Sequence, residues 1–193
     1  MLIAATLAGE VDAFALLVAR YQGALFRAAI SRLSQREIAE EAVQETFLCA
    51  HRWLATYDSR FSFRTWLWTI LLNQCTRQAK REAKHTVGWA LPTMSAPVRP
   101  LSTSPKLPLD QLLARETSEH VQELLSRLPE AQADALRLRF FGELTFPEIA
   151  AAMGCSEAGA KHRVKTGLLK LAAWLAPEGG IEQPAPSKLG DVP

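Results

Sequence analysis

The run Thr145-Phe146-Pro147-Glu148, followed by Ile149, Ala150, Met153, Gly154 and Ser156, constrains the fold of this chain more than any other stretch. Its T-x-x-E form is that of a capping box, and a proline in the first turn of a helix removes an N–H that would have no helical partner anyway. Gly154 suits the left-handed residue that closes a helix, and Ser156 suits the cap of a second one running from Glu157 to about Trp174. Two helices joined by a turn of about three residues around a glycine make a helix-turn-helix.

The remainder reads as helix and linker. Phe14, Leu17, Val18, Tyr21, Leu25 and Ala28 recur at spacings of three and four, leaving Arg20 and Arg27 off the stripe, and Asp12 is read as the N-cap. A second helix is expected from about Arg36 to Ala55, with Ala39, Val43, Phe47, Ala50 and Leu54 inward. A third follows the Asp58-Ser59-Arg60 turn, from about Phe63 to Lys84. Between His85 and Arg115 the helical pattern lapses, and Pro92, Pro97, Pro100, Pro105 and Pro108 each remove a backbone donor. Residues 87–115 are therefore a linker between two small domains, 1–86 and 116–176, because a structureless stretch that long is rare within one body. Helices are expected over Thr117 to Ser126 and Glu130 to Phe140, and 177–193 is read as a frayed tail. No strand alternation is found, so the fold class is all-α.

Composition excludes several function classes. With 48% hydrophobic and 22% charged residues the chain is globular, and a net charge of +2 is too small for a protein that coats nucleic acid indiscriminately. Cys49, Cys75 and Cys155 are odd in number and far apart, signalling neither a disulfide framework nor a zinc site. No phosphate loop, nucleophile constellation or catalytic carboxylate pair is present, so neither enzyme activity nor a cofactor is expected. The apolar start meets Glu10 and Asp12 too soon for a signal peptide, and no apolar run reaches the roughly 18 residues of a membrane span. A cytoplasmic protein without membrane insertion is expected.

Charge is distributed unevenly. In a helix-turn-helix the second helix enters the major groove, and Lys161, His162, Arg163 and Lys165 lie in its N-terminal half. Val164, Leu168 and Leu171 supply the inward stripe, leaving Lys161 and Lys165 as an i, i+4 pair for phosphate or a guanine edge. The second helix of the chain carries Glu37, Glu40, Glu41 and Glu45 with no Lys or Arg between them, a surface that repels phosphate and suits solvent or a protein. The third is the opposite: Trp66, Thr69, Asn73, Arg77, Lys80 and Lys84 share one side. Aromatic faces stack on unpaired bases, an amide bonds base edges and cations track the backbone, the inventory of a single-strand groove.

Leu128-Pro129-Glu130, Leu136-Arg137-Leu138-Arg139, Glu148-Ile149-Ala150, Met153-Gly154-Cys155-Ser156-Glu157-Ala158 and the Lys161/Arg163 spacing resemble the minus-thirty-five-binding domain of extracytoplasmic-function sigma factors. The chain departs from that pattern around Gly159 and Ala160, and at Thr166-Gly167, where the family usually has Arg-Ala. Glu40-Glu41-Ala42-Val43-Gln44-Glu45-Thr46-Phe47 is similar to the sigma segment that docks on the polymerase clamp, which implicates Glu40, Glu41, Gln44, Glu45 and Phe47. Phe61-Ser62-Phe63-Arg64-Thr65-Trp66-Leu67 with Ile70 and Asn73 resembles the minus-ten-melting segment. The resemblance implies a base pocket from Asp58, Ser59, Arg60, Phe61 and Ser62, and a reading face of Trp66, Asn73 and Arg77 continued by Lys80. It places Ser156, Glu157, Lys161, His162, Arg163 and Lys165 at the upstream duplex.

The implied partners are core RNA polymerase, promoter DNA and an anti-sigma factor, with the linker passing near the RNA exit path. Two rival readings remain open at this stage. One is a stand-alone helix-turn-helix regulator with an N-terminal sensing domain, recognisable by a duplex footprint without polymerase. The other is an enzyme or ligand-binding helical domain fused to a DNA module, recognisable by a closed apolar cavity within residues 1–86.

Overall fold

The structure is a computed structural model, and it describes residues 2–8, 10–86 and 119–176. The linker and tail expectations for 87–115 and 177–193 lie outside those residues. Eight helices follow in order among the described residues: α1 Leu2–Leu7, α2 Val11–Leu33, α3 Arg36–Trp53, α4 Phe63–Thr86, α5 over 119–126, α6 Glu130–Phe140, α7 Phe146–Met153 and α8 Glu157–Leu175. A short 3-10 turn, Leu54–Thr56, extends α3, and no strand is present among the described residues. The all-α expectation holds.

In the N-terminal module α2, α3 and α4 pack side by side. Leu17, Leu25, Ala28 and Ala29 of α2 meet Ala39, Ala42, Val43, Phe47 and Ala50 of α3 and Leu67, Trp68, Leu71 and Cys75 of α4, all buried. The small residues allow close helix approach, and each fully buried large side chain contributes about 1.5–3 kcal/mol. Asp12 does not cap α2 as expected: Glu10 is the N-cap residue and Asp12 sits in the first turn, where a carboxylate still faces the positive end of the helix dipole. Ser34 ends α2 in the left-handed region at φ 61°, its N–H bonding the Ile30 carbonyl. Asp12–Leu33 has the length and hydropathy of a membrane span, although Arg20 and Arg27 interrupt its apolar residues. Its stripe is nonetheless committed to this core, and Arg20 and Arg27 are exposed beside it.

The C-terminal module follows its sequence signals closely. Glu148 closes the capping box of α7, its carboxylate accepting from the Thr145 N–H and hydroxyl, each at 2.8 Å. Gly154 terminates α7 at φ 59°, and the Ser156 hydroxyl accepts from the Gly159 N–H at 3.1 Å to start α8. The inward stripe of α8 is Ala160, Val164 and Gly167, with Leu171 half-buried, whereas Leu168 is 42% exposed rather than inward. Gly167 explains the shift. A Cβ there would lie 3.0 Å from Leu136 Cδ1 and 3.3 Å from its Cγ, so the missing side chain lets α8 approach α6 and turns Leu168 outward.

The two modules are not apart. Trp68, 1% exposed, belongs to α4, and a Cβ on Gly142 after α6 would come within 2.9 Å of its Cε2. The buried residues of both halves form one connected cluster. The two small helical domains expected from the sequence are present, and they are folded against each other.

Candidate nucleic-acid and protein interfaces

The acidic candidate surface lies on α3. Glu41, Gln44 and Glu45 are exposed, Glu40 is half-buried and Phe47 is buried against Phe14, their rings edge-on with centroids 6.4 Å apart. Phe47 is therefore a core residue beneath the surface rather than part of it. The acid is partly balanced in ways the sequence pattern did not signal: Arg36 reaches Glu40 at 2.5 Å, and Arg81 of α4 reaches Glu41 at 3.0 Å. At these exposures the pairs contribute little to stability and chiefly orient the carboxylates.

The loop before α4 is tightly built. Asp58 accepts from the Arg60 backbone at 2.9 Å and from its guanidinium Nε at 2.7 Å. Those bonds, the side-chain one foremost, hold the Asp58 carboxyl below its ordinary range. Tyr57 spans the loop, its hydroxyl donating to the Phe61 carbonyl at 2.5 Å. Ser59, Arg60 and Phe61 are exposed, Phe61 at 54%. Ser62 caps α4, accepting from the Thr65 N–H at 3.1 Å. The loop thus presents an apolar ring and polar groups at a rigid helix start, which is what a pocket for an unpaired base requires.

Along α4 the two tryptophans part company. Trp68 is core, while Trp66 is half-buried in an aromatic group with Tyr57 at 5.3 Å and Phe63 at 5.7 Å between centroids. Trp66 is thereby held in place with part of its surface free. Asn73, Arg77 and Lys80 are exposed farther along the same helix.

On α8, Lys161, His162 and Lys165 are exposed with Ser156 and Glu157 at the start of the helix. Lys161 pairs with Glu157 at 2.6 Å and sits 5.8 Å over the Phe146 ring. Arg163 is half-buried and turned toward α7, its guanidinium 4.0 Å from Met153 Sδ. It therefore faces the first helix of the motif rather than outward with its neighbours. Phe146, Val164, Leu168 and Leu169 line a shallow apolar groove flanked by Lys161 and Lys165. Among the described residues no group of three or more His, Cys, Asp or Glu side chains is gathered for a metal.

These faces sit on segments that match two family models: Sigma-70 region 2 over residues 17–85 and Sigma-70, region 4 over residues 118–171. The chain is an RNA polymerase sigma factor. Among its relatives is RNA polymerase sigma factor NccH of Alcaligenes xylosoxydans xylosoxydans, 31% identical over 168 residues, covering 86% of this chain and 89% of that protein. The ECF RNA polymerase sigma-E factor of Escherichia coli K12 is 29% identical over 170 residues, 81% of this chain and 83% of that one. In structure the sigma factor is similar to CnrH, solved with the cytosolic domain of CnrY, at a TM-score of 0.69 and 26% identity over 92% of this chain and 97% of that one. It also shares its fold with RpoE of Bartonella quintana, solved with the anti-sigma factor NepR, at a TM-score of 0.66 and 23% identity over 88% and 100% of the two chains. The sigma factor is of the extracytoplasmic-function class and directs promoter-specific transcription initiation.

The interdomain contacts were invisible in sequence. Glu148 of α7 accepts from the Ser62 hydroxyl at 2.7 Å and the Thr65 hydroxyl at 3.2 Å, and pairs with Arg64 at 3.2 Å. Arg137 of α6, 4% exposed, donates to the Ser31 hydroxyl at 2.8 Å and the Ser31 carbonyl at 2.6 Å, and to Asp134 at 2.9 Å. Burial lowers the Arg137 pKa below the ordinary guanidinium range, with Asp134 opposing that change. Arg32 of α2 pairs with both Asp134 and Glu130, and donates to Thr76 at 3.0 Å.

Proposed function

We propose that the sigma factor divides its work among three faces. The acidic face of Glu40, Glu41, Gln44 and Glu45, with Phe47 holding it from beneath, docks on core RNA polymerase. The loop Asp58, Ser59, Arg60, Phe61 and Ser62 receives an unpaired base of the minus-ten element, and Trp66, Asn73, Arg77 and Lys80 read and track the adjoining strand. The start of α8, through Ser156, Glu157, Lys161, His162 and Lys165, reads the minus-thirty-five duplex, and Arg163 supports α8 from its half-buried side. The domains are 1–86 and 116–176, with 87–115 as connector and 177–193 as tail.

One observation carries this reading. A single helical module exposes carboxylates on α3 and an aromatic, amide and basic row on α4, and a body whose faces favour a protein and a nucleic acid respectively is an adaptor between them. The factor acts in the cytoplasm and makes or breaks no covalent bond itself. An anti-sigma factor restrains it; the complexes of CnrH with CnrY and of RpoE with NepR support that partner class.

In vitro transcription with purified core polymerase across a genomic promoter library tests the proposal. Addition of the chain should create discrete start sites, and unchanged start sites would reject it. A duplex footprint by the chain alone, equal in strength to that with polymerase, would favour the stand-alone regulator instead.

A further inference from the structure

Arg20 and Arg27 are the cations of α2 that its packing does not use. Seven residues make nearly two helical turns, so both leave the helix on one side, about 10.5 Å apart along its axis. Their side chains narrow that gap. Arg27 Nη1 lies 3.6 Å from where a Cβ on Gly23 would stand, so Arg27 turns back along the helix, and the Arg20 guanidinium lies over the Tyr21 ring, 5.6 Å from its centroid. Among the described residues neither has a carboxylate partner, whereas Arg32 at the end of the same helix has two.

Both guanidiniums line a cleft of about 410 Å³. Tyr21 of α2, Phe63 and Trp68 of α4, and Phe141 and Glu143 of the turn after α6 line it with them. Arg64 also reaches the cleft but is committed to Glu148 at 3.2 Å, which leaves Arg20 and Arg27 as its unpaired cations. Glu143 is exposed, forms no ion pair and stands at φ 53°, in the left-handed region that favours glycine. Backbone bonds on either side fix it there, from the Gly142 N–H to the Arg137 carbonyl at 3.2 Å and from the Leu144 N–H to the Leu138 carbonyl at 3.1 Å. Opposite charges thus line one space without joining across it.

We propose that this cleft binds a free nucleoside polyphosphate, with Arg20 and Arg27 on the phosphate chain, Glu143 on the sugar hydroxyls and Phe141 against the base. Two cations drawn together along a helix suit an anion extended over several phosphates, and planar guanidiniums grip phosphate oxygens in pairs. A carboxylate facing them repels a bare polyanion, yet it is the acceptor that ribose hydroxyls need. Phe141 is half-buried and keeps ring surface for a base to cover, while Tyr21, its ring under Arg20, backs the phosphate end. The volume falls within the range of small-ligand sites, about 300–1,000 Å³. Because both arginines are exposed, salt screens the attraction and binding is modest.

Isothermal titration calorimetry of the full chain with ATP, GTP, AMP and inorganic tripolyphosphate tests the site. The nucleoside triphosphates should bind saturably, at a single site per chain, and more tightly than AMP or tripolyphosphate. Arg20→Gln/Arg27→Gln should weaken ATP binding about tenfold, the worth of one charge-assisted hydrogen bond. Glu143→Gly, which suits the positive φ, should weaken ATP binding a few-fold and strengthen that of tripolyphosphate. Circular dichroism should be unchanged, since all three side chains are exposed. Lys161→Ala/Lys165→Ala, on the basic face of α8, should bind ATP as wild type does. No saturable binding, or a loss in the lysine variant and not in the arginine one, overturns the site. So does tripolyphosphate binding as tight as that of ATP and indifferent to Glu143→Gly, which would leave only a patch of positive charge. If ATP does not bind and the arginine variant instead loses affinity for a short single-stranded DNA, the cleft belongs to the strand and the proposal fails.

Discussion

The carboxylate of Glu148 and the hydroxyl of Ser62 belong to different modules, 86 residues apart in sequence, and meet at 2.7 Å. Burial alone would raise the Glu148 pKa, but bonds from the Thr145 backbone, Ser62 and the Thr145 hydroxyl, with the nearby Arg64 charge, outweigh it and bring the group from 4.5 to about 2. A carboxyl lowered in the folded state contributes stability in full above its unfolded value and loses it as pH falls through the folded one. Between pH 4.5 and about 2 the wild-type protein should therefore lose stability that Glu148→Gln never had. Urea denaturation of both proteins at several pH values checks this: the gap between them should narrow toward pH 2.

Cys75 should be the slowest thiol. It is 1% exposed, and burial, with Asp134 adding to it and Arg32 and Arg137 opposing, pushes its thiol up to about 11. Cys49 and Cys155 are half-buried. At pH 8 iodoacetamide should label those two first, with Cys75 labelled only under denaturing conditions, as read by peptide mass spectrometry. Prompt native labelling of Cys75 would contradict the packing described.

Gly167→Ala should destabilise, although alanine gains about 1 kcal/mol over glycine within a helix. The added Cβ would meet Leu136 Cδ1 at 3.0 Å, and Leu136, 2% exposed, has no room to yield. In a Leu136→Ala background the same change should cost less or become favourable. Thermal denaturation of the four proteins in that cycle measures the coupling.

Glu41→Lys with Gln44→Ala should abolish co-purification with core polymerase while leaving the helical spectrum unchanged, since both side chains are exposed. Retained co-purification would move the docking surface elsewhere.

Trp66→Ala or Asn73→Ala should impair promoter opening more than duplex binding. Loss of one stacking partner costs about 1–3 kcal/mol, roughly 5- to 150-fold in strand capture. Lys161→Ala should instead weaken upstream duplex binding and reduce the salt slope by about 1. Permanganate footprinting separates opening from binding, and equal losses in both would contradict the division.

The helices, the capping box of Thr145 and Glu148, the left-handed Gly154 and the Ser156 cap were all legible in sequence, because each depends on partners within a few residues. So was the opposition of the α3 acids to the α4 row, which helical spacing alone sets. Only the tertiary structure decided that Trp68 is core while Trp66 keeps a free edge, that Gly167 turns Leu168 outward, and that Arg137 is buried against Ser31. These outcomes depend on groups tens of residues away, whose meeting reflects how surfaces fit rather than periodicity along the chain. The same holds for Glu148, whose local cap was written in four consecutive residues and whose second role, across the seam, was set by the docking of one module on the other.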